Sequence, residues 1–246
     1  MKLSLSDTSY LRDSISIISE LVTEGRFTIT KNGFELVAMD PANVAMIIYK
    51  LLPSSFTEYQ VDQDVTLGIT LANFKQILKR AGVTDTLTLE LDNNKLSITL
   101  QGVSKRTFSL PIIALEEKEQ RIPNLTFPAS ITVPSTLLVN AIEDAGIVAE
   151  SVTLTAEPGS FTISAEGDLT NAVIHTPEGE NVKVTTVEGK TKSKYAIEYL
   201  KKMAQGAKLS DTVTIKLDTN YPLKLEYKTL DKISLDFILA PRVDND

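Results

Sequence analysis

An α+β fold of two similar domains, each with two helices packed on antiparallel β-sheet, is what this sequence predicts. Three observations carry the prediction. A unit of one helix followed by strands recurs at intervals of roughly 60 residues, the stretches between helices alternate apolar and polar side chains, and a charged, proline-flanked segment interrupts the rhythm near the middle. At 246 residues and 42% hydrophobic, the chain is long enough for two cores.

The first helix is expected over residues 10–22. With about 100° of turn per residue, Leu11, Ile15, Ile18 and Val22 share one stripe, opposite Arg12, Asp13, Ser16 and Glu20. Residues 27–30 and 34–38 alternate around Asn32-Gly33 and read as a hairpin. The second helix, 71–82, turns Leu71, Phe74, Leu78 and Ala81 inward and Asn73, Lys75, Gln76, Lys79 and Arg80 away. Residues 86–91 and 95–100 form the next hairpin around Asp92-Asn93-Asn94. Glu116-Glu117-Lys118-Glu119-Gln120-Arg121 is charged, and Pro123 and Pro128 lack backbone donors, so 115–128 reads as an extended connector between domains at 1–114 and 129–246.

In the second domain the third helix, 135–147, sets Leu138, Ile142 and Ala145 against Thr136, Asn140, Glu143 and Asp144. A hairpin of 152–156 and 160–165 turns at Pro158-Gly159. The fourth helix, 195–207, gathers Ala196, Leu200, Met203 and Ala207 opposite Lys194, Glu198, Lys201, Lys202 and Gln205. The last hairpin joins 213–217 to 223–227 through Asp218-Thr219-Asn220-Tyr221-Pro222. Antiparallel sheet covered on one side by helices accommodates all of these elements. Three of the four polar helix faces carry cations, and the third helix carries none.

Composition excludes several function classes. With no cysteine there is no disulfide framework, thiol nucleophile or thiolate metal site. There is no run of about 18 apolar residues, and Met1-Lys2-Leu3-Ser4-Leu5-Ser6-Asp7 lacks a secretion signal, so a cytoplasmic protein with no membrane association is expected and the Asn124-Leu125-Thr126 sequon is read as chance. A net charge of -7 disfavours nucleic acid at the average surface, though not at any one face.

Enzyme chemistry finds little support. His175 is the single histidine, in the alternating run Ala172-Val173-Ile174-His175-Thr176, and reads as a solvent-facing strand residue; a metal cluster or a Ser/His/Asp triad has no second imidazole. Gly189-Lys190-Thr191 imitates the end of a phosphate-binding loop, but Val184 stands where that loop needs glycine. Glu143-Asp144 and Glu116-Glu117 read as solvated carboxylates. No cofactor, metal or catalytic residue is expected.

Four segments resemble a known family. They are Leu36-Val37-Ala38-Met39-Asp40-Pro41-Ala42-Asn43-Val44-Ala45-Met46, then Lys105-Arg106-Thr107-Phe108-Ser109-Leu110-Pro111, then Pro222-Leu223-Lys224-Leu225-Glu226-Tyr227, and finally Leu239-Ala240-Pro241-Arg242-Val243. In this order, around this repeat and connector, they resemble the DNA sliding clamp called proliferating cell nuclear antigen, in its archaeal form. The resemblance implies the DNA clamp fold: a ring of three subunits, helices lining a hole around duplex DNA and sheets outside. It implies a non-catalytic processivity factor that tethers DNA polymerase, flap endonuclease and DNA ligase, opened by an ATP-driven clamp loader, and nucleoid-associated if archaeal or nuclear if eukaryotic.

The resemblance assigns roles to residues. Arg12, Lys75, Lys79, Arg80, Lys201, Lys202 and Lys208 are expected to face DNA phosphates, without base readout. A front pocket for partner peptides is expected from Met39, Asn43, Val44, Met46, Ile122, Pro123, Pro222, Ala240 and Pro241, with Asn43 where eukaryotic members often have histidine and Arg121 where glycine is frequent. For the subunit joint, the strand holding Arg106, Thr107, Phe108, Ser109 and Leu110 is expected to pair with a neighbour's Ala172, Val173, Ile174, His175 and Thr176. Arg80 and Arg106 are expected to meet Glu143 or Asp144 beside it. One subunit of a heterotrimeric ring, a scaffold without DNA, and a hydrolase on a similar repeated α+β fold remain as alternatives.

Overall fold

The computed structural model describes residues 1–115, 120–186 and 189–242. Glu116, Glu117, Lys118 and Glu119 of the expected connector, and Val243 of the terminal motif, lie outside them. The chain divides into two compact units, the first of Met1–Pro41, Ile47–Ile122 and Thr229–Leu235, the second of Ala42–Met46, Pro123–Lys228 and the stretch from Asp236 onward.

Wholly or mainly in the first unit are β1 (Lys2–Leu5), α1 (Ser9–Ile18), β2 (Glu24–Thr30), β3 (Gly33–Met39), β4 (Ala45–Leu51), β5 (Glu58–Gln60), β6 (Val65–Thr70), α2 (Leu71–Leu78), β7 (Thr86–Asp92), β8 (Lys95–Gln101) and β9 (Lys105–Pro111). Strand order is β5-β1-β7-β8-β9 in one sheet, while β6, β2, β3 and β4 lie side by side in another. Helices α1 and α2 pack on each other. The core between them holds Phe27 against Phe34 with centroids 4.8 Å apart and Phe74 edge-on at 6.4 Å.

Wholly or mainly in the second unit are β10 (Ala129–Pro134), α3 (Ser135–Val148), β11 (Ser151–Glu157), β12 (Ser160–Glu166), β13 (Asn171–Pro177), β14 (Lys183–Thr186), β15 (Thr191–Ala196), α4 (Ile197–Ala204), β16 (Thr212–Leu217), β17 (Leu223–Thr229) and β18 (Ile233–Leu239). One sheet has the order β13-β12-β11-β15, with α3 packed on β11, β12 and β13 and against α4. In the other, β14, β10, β16, β17 and β18 are neighbours.

Helix boundaries differ from the periodicity in an informative way. Strands β6, β10 and β15 pass directly into α2, α3 and α4 with no intervening loop. Tyr195, expected in the fourth helix, is therefore a buried strand residue, and the apolar stripe of α4 is Ile197, Leu200, Met203 and Ala204. Ala207 falls in a 3-10 turn, Gln205–Lys208. Alternation along β15 turns Tyr195 to the core and leaves Ala196, expected on the helical stripe, half-buried, so the period changes from two to 3.6 at this junction. Likewise Val22 is buried but follows α1, in a turn where the Leu21 and Val22 amides both donate to the Ile18 carbonyl.

On the face of β16–β18 away from the core, Glu226 is ringed by lysines. Lys224 Nζ lies 2.7 Å from its Oε1 and 3.0 Å from Asp236 Oδ2, and Lys216 Nζ is 3.2 Å from the same Glu226 oxygen. Burial alone would raise the Glu226 pKa, but the Lys224 hydrogen bond and the charges of Lys224 and Lys228 outweigh it and hold the carboxyl below its ordinary 4.5. A depressed folded pKa means stability that is present above the unfolded value and lost as pH falls through the folded one. The thermal midpoint is expected to hold steady down to about pH 5 and fall below about pH 4.5, and Glu226→Gln should flatten that acid limb. Differential scanning calorimetry from pH 3 to 7 checks this; an unchanged acid limb in the variant would assign the pH response to other carboxylates.

Candidate functional site

The cations expected to face DNA fall into two groups. Arg12 Nε is 3.0 Å from Asp13 Oδ1 on α1, Lys75 Nζ on α2 is 2.7 Å from Glu20 Oε1, and Lys202 Nζ on α4 is 2.8 Å from Glu198 Oε1. These three are already neutralised within the chain. Lys79, Arg80, Lys201 and Lys208 are exposed and, among the described residues, enter no ion pair. Each group straddles both units, with Lys79 and Arg80 just beyond α2 and Lys201 and Lys208 on and beyond α4. The Glu198–Lys202 pair follows helical i,i+4 spacing and was legible in the sequence; the Lys75–Glu20 pair was not.

Lys201 passes over a glycine. A Cβ built on Gly146 in the last turn of α3 would lie 2.6 Å from Lys201 Nζ and 2.8 Å from its Cε, so the ammonium lies close over the bare backbone there and a side chain would displace it. Glu143, Ile142, Val139 and Lys201 line a cleft of about 190 Å³ between α3 and α4. The cation that α3 lacks in sequence is thus supplied to its surface from α4.

Two strands end their sheets. In the first unit the ladder Leu3, Leu89, Ile98, Phe108 crosses β1, β7, β8 and β9 in register; the first three are fully buried, and Phe108, on the edge strand, is half-buried. In the second unit Ser193, Leu154, Ile163 and Ile174 form the equivalent row, with Ile174 half-buried on β13. Each core row therefore stops at an apolar side chain on an open edge, and each edge strand is seven residues long. His175, on β13, is exposed with Nδ1 3.1 Å from Thr162 Oγ1.

Arg106 is engaged inside its own chain. Its Nη1 donates to the Arg80 carbonyl at 3.1 Å and its Nη2 to the Asp85 carboxylate, which is 7% exposed and also accepts from the Gly82 amide at 2.8 Å. Neither Asp85 nor Gly102, where a Cβ would sit 2.0 Å from Asp85 Oδ1, was singled out from the sequence. Together they tie the end of α2 to the start of β9. Asp85→Ala strands the guanidinium and the Gly82 amide, and a loss of about 2–4 kcal/mol is expected in urea unfolding. A loss under about 0.5 kcal/mol would mean the tie is a surface contact only. Glu143 and Asp144 are exposed on α3 and, among the described residues, enter no ion pair.

The expected partner-pocket residues distribute over both units. Met39 ends β3 half-buried and Ile122 is 52% exposed, both in the first unit. In the second, Pro123 and Asn43 are exposed, and Asn43 has a left-handed φ of 57°. Val44 is half-buried and its carbonyl accepts from the Ala240 amide at 2.9 Å. Pro222 precedes β17 and Ala240-Pro241 follows the neighbouring β18, so these turn up at one end of the hairpin. Met46 is 4% exposed and belongs to the core. Missed in the sequence were Phe127 and Tyr221, whose rings meet edge-on at 5.8 Å next to Pro222, with the Tyr195 hydroxyl donating to the Tyr221 carbonyl at 2.7 Å.

Lys190, in the segment that imitates a phosphate-binding loop, pairs with Glu157 at 3.2 Å, and Thr191 opens strand β15 rather than a helix. Among the described residues no helix is long and apolar enough to cross a membrane.

The family model for the proliferating cell nuclear antigen N-terminal domain matches residues 1–116, and that for its C-terminal domain matches 121–242. The chain belongs to the proliferating cell nuclear antigen family. Among its relatives, the protein named DNA polymerase sliding clamp in Nanoarchaeum equitans is 37% identical over 249 residues, covering 99% of this chain and 100% of that one. The one of the same name in Thermococcus gammatolerans is 41% identical, with 94% of each chain covered. The crystal structure of PCNA from Thermococcus kodakaraensis superposes with a TM-score of 0.92 at 26% identity, covering 98% of this chain and 99% of that one. A chain of the PCNA2-PCNA3 complex of Sulfolobus tokodaii gives 0.90 at 30% identity, with the same coverage. The two-domain α+β fold of helices and antiparallel sheets is that of the family.

Proposed function

We propose that this chain is a DNA sliding clamp: three copies close into a ring around duplex DNA and hold DNA polymerase to it, with no catalytic step of their own. The observation that carries this is the pair of open edges. Among the described residues, strands β9 and β13 each end a sheet with no strand on their outer side and a half-buried core side chain, Phe108 or Ile174, which is what a head-to-tail joint between copies would cover. Domains of 1–114 and 129–246, linked by 115–128, supply one edge each. Arg80, whose side chain is unpaired among the described residues, is the better candidate than Arg106 to meet a neighbour's Glu143 or Asp144, since Arg106 already has Asp85.

The acidic whole and the cationic helix faces fit one another in this function. Lys79, Arg80, Lys201 and Lys208 would hold the duplex through phosphates alone, as sliding requires, while the net charge of -7 keeps DNA off the rest of the surface. Flap endonuclease, DNA ligase and the clamp loader would dock at Asn43, Val44, Pro123, Pro222, Ala240 and Pro241 of the second unit, where the Phe127 and Tyr221 rings meet beside Pro222, with Met39 and Ile122 the candidates on the first. The site of action is DNA in the cytoplasm.

Light scattering across a concentration series tests it. A mass of three times 27.0 kDa is expected, with retention on closed circular DNA that is lost on linearisation. A chain that stays at 27.0 kDa alone would instead support a ring of unlike subunits, the alternative that the similarity to a chain of the PCNA2-PCNA3 complex keeps open.

A further inference from the structure

The face of β11, β12 and β15 turned away from the core is polar and ordered in rows. Ser164, Thr153 and Lys194 stand side by side across three strands, and Thr162, Thr155 and Lys192 form the next row. Both hydroxyl rows end in a lysine on β15. Beyond β15, the Arg242 amide donates to the Lys194 carbonyl at 2.7 Å, which fixes a third cation at the same edge. Ser164, Thr153, Lys192, Lys194 and Arg242 line a cleft of about 600 Å³ in which Glu166 is the one carboxylate among the lining residues. Lys192 and Arg242 are exposed and enter no ion pair among the described residues. Hydroxyl donors backed by ammonium and guanidinium groups are the chemistry of carboxylate recognition.

Helix α3 packs on the opposite face of this sheet, so these cations do not belong with those of the helices. Their position points to a different occupant. Arg242 follows Pro241 directly, and the loop of Thr219 and Asn220 on the cleft rim leads within two residues to Tyr221 and Pro222. A peptide anchored at Pro222, Ala240 and Pro241 would bring residues flanking its anchor to this edge, since an extended chain advances about 3.3 Å per residue.

We propose that the cleft binds acidic residues flanking the docking motif of partner proteins, a preference that rests on the partner-pocket reading above. It selects among partners by charge: the anchor holds the peptide, and aspartates or glutamates beside it sit on the hydroxyl rows against Lys192, Lys194 and Arg242. Such contacts act through complementarity and weaken with salt.

The test uses the full chain and three synthetic peptides with one shared anchor of a glutamine and two aromatics. One carries three aspartates before the anchor, one carries them after it, and one carries serines at both ends. Fluorescence anisotropy at low salt is expected to show one acidic peptide binding about tenfold tighter than the serine peptide, an advantage erased in Lys192→Glu/Arg242→Glu and at high salt. Equal affinities for all three would overturn the proposal. An advantage that appears only once residues 243–246 are removed would also overturn it, in favour of the chain's own terminal aspartates. If no peptide binds, the pocket reading falls by itself, and amide shifts of Lys192, Lys194 and Arg242 with unanchored triglutamate decide the cleft: shifts confined to those residues support it and their absence overturns it.

Discussion

Phe108→Asp should leave a folded chain of 27.0 kDa that no longer assembles into a ring. Phe108 closes the row that runs through Leu3, Leu89 and Ile98 and is the only member of it left half-buried. Covering it in a joint would contribute about 1.5–3 kcal/mol, and a buried aspartate without a partner would cost several more. Even the lower total is a factor of about 1,000 in the association constant of each joint, and a ring needs three. Analytical ultracentrifugation at micromolar concentration reads the outcome, and circular dichroism guards against simple unfolding. Ile174→Asp on β13 should do the same from the other side of the joint. A trimeric Phe108→Asp chain with native spectra would show that β9 is not where copies meet.

Alanine at Lys79, Arg80, Lys201 and Lys208 together should weaken retention on DNA far more than alanine at Arg12, Lys75 and Lys202. All seven are basic and helix-associated, but the second group already faces Asp13, Glu20 and Glu198 at 2.7–3.0 Å. Moving a paired cation to phosphate sacrifices one ion pair for another, so its net gain is small. For the four that enter no ion pair among the described residues, a plot of log affinity against log salt should flatten by about 0.9 for every phosphate contact removed. Retention of loaded rings at physiological salt should shorten by about tenfold or more. If the paired set produced the larger loss, the intrachain ion pairs would have to open on DNA, and the division into two groups would be wrong.

The hairpins at 86–101 and 151–166 could be read directly, because a period of two places every second side chain in the core whatever lies elsewhere in the chain. Helical stripes were legible for the same reason, and the fourth helix was begun two residues early because β15 runs into α4 with no turn residue to mark the change of period. The partner pocket was read less completely. Pro222 and Ala240 came from the resemblance, whereas the Phe127 and Tyr221 rings are 94 residues apart in sequence and come together only when β10 and β17 are placed (221 − 127). Nothing local marks an aromatic in a connector as half of a pair.

By itself, then, the sequence determined the four amphipathic helices, the alternating strands between them, the lack of cysteine, and which helices carry positive charge. These are properties of neighbours along the chain, set by side-chain spacing and residue type. Tertiary structure alone decided which cations pair with Glu20 and Asp85, that Lys201 lies over Gly146 of α3, and which strands are left as edges. Ion pairing depends on distances of a few ångströms between residues far apart in sequence, and an edge is defined by the strand that topology fails to place beside it.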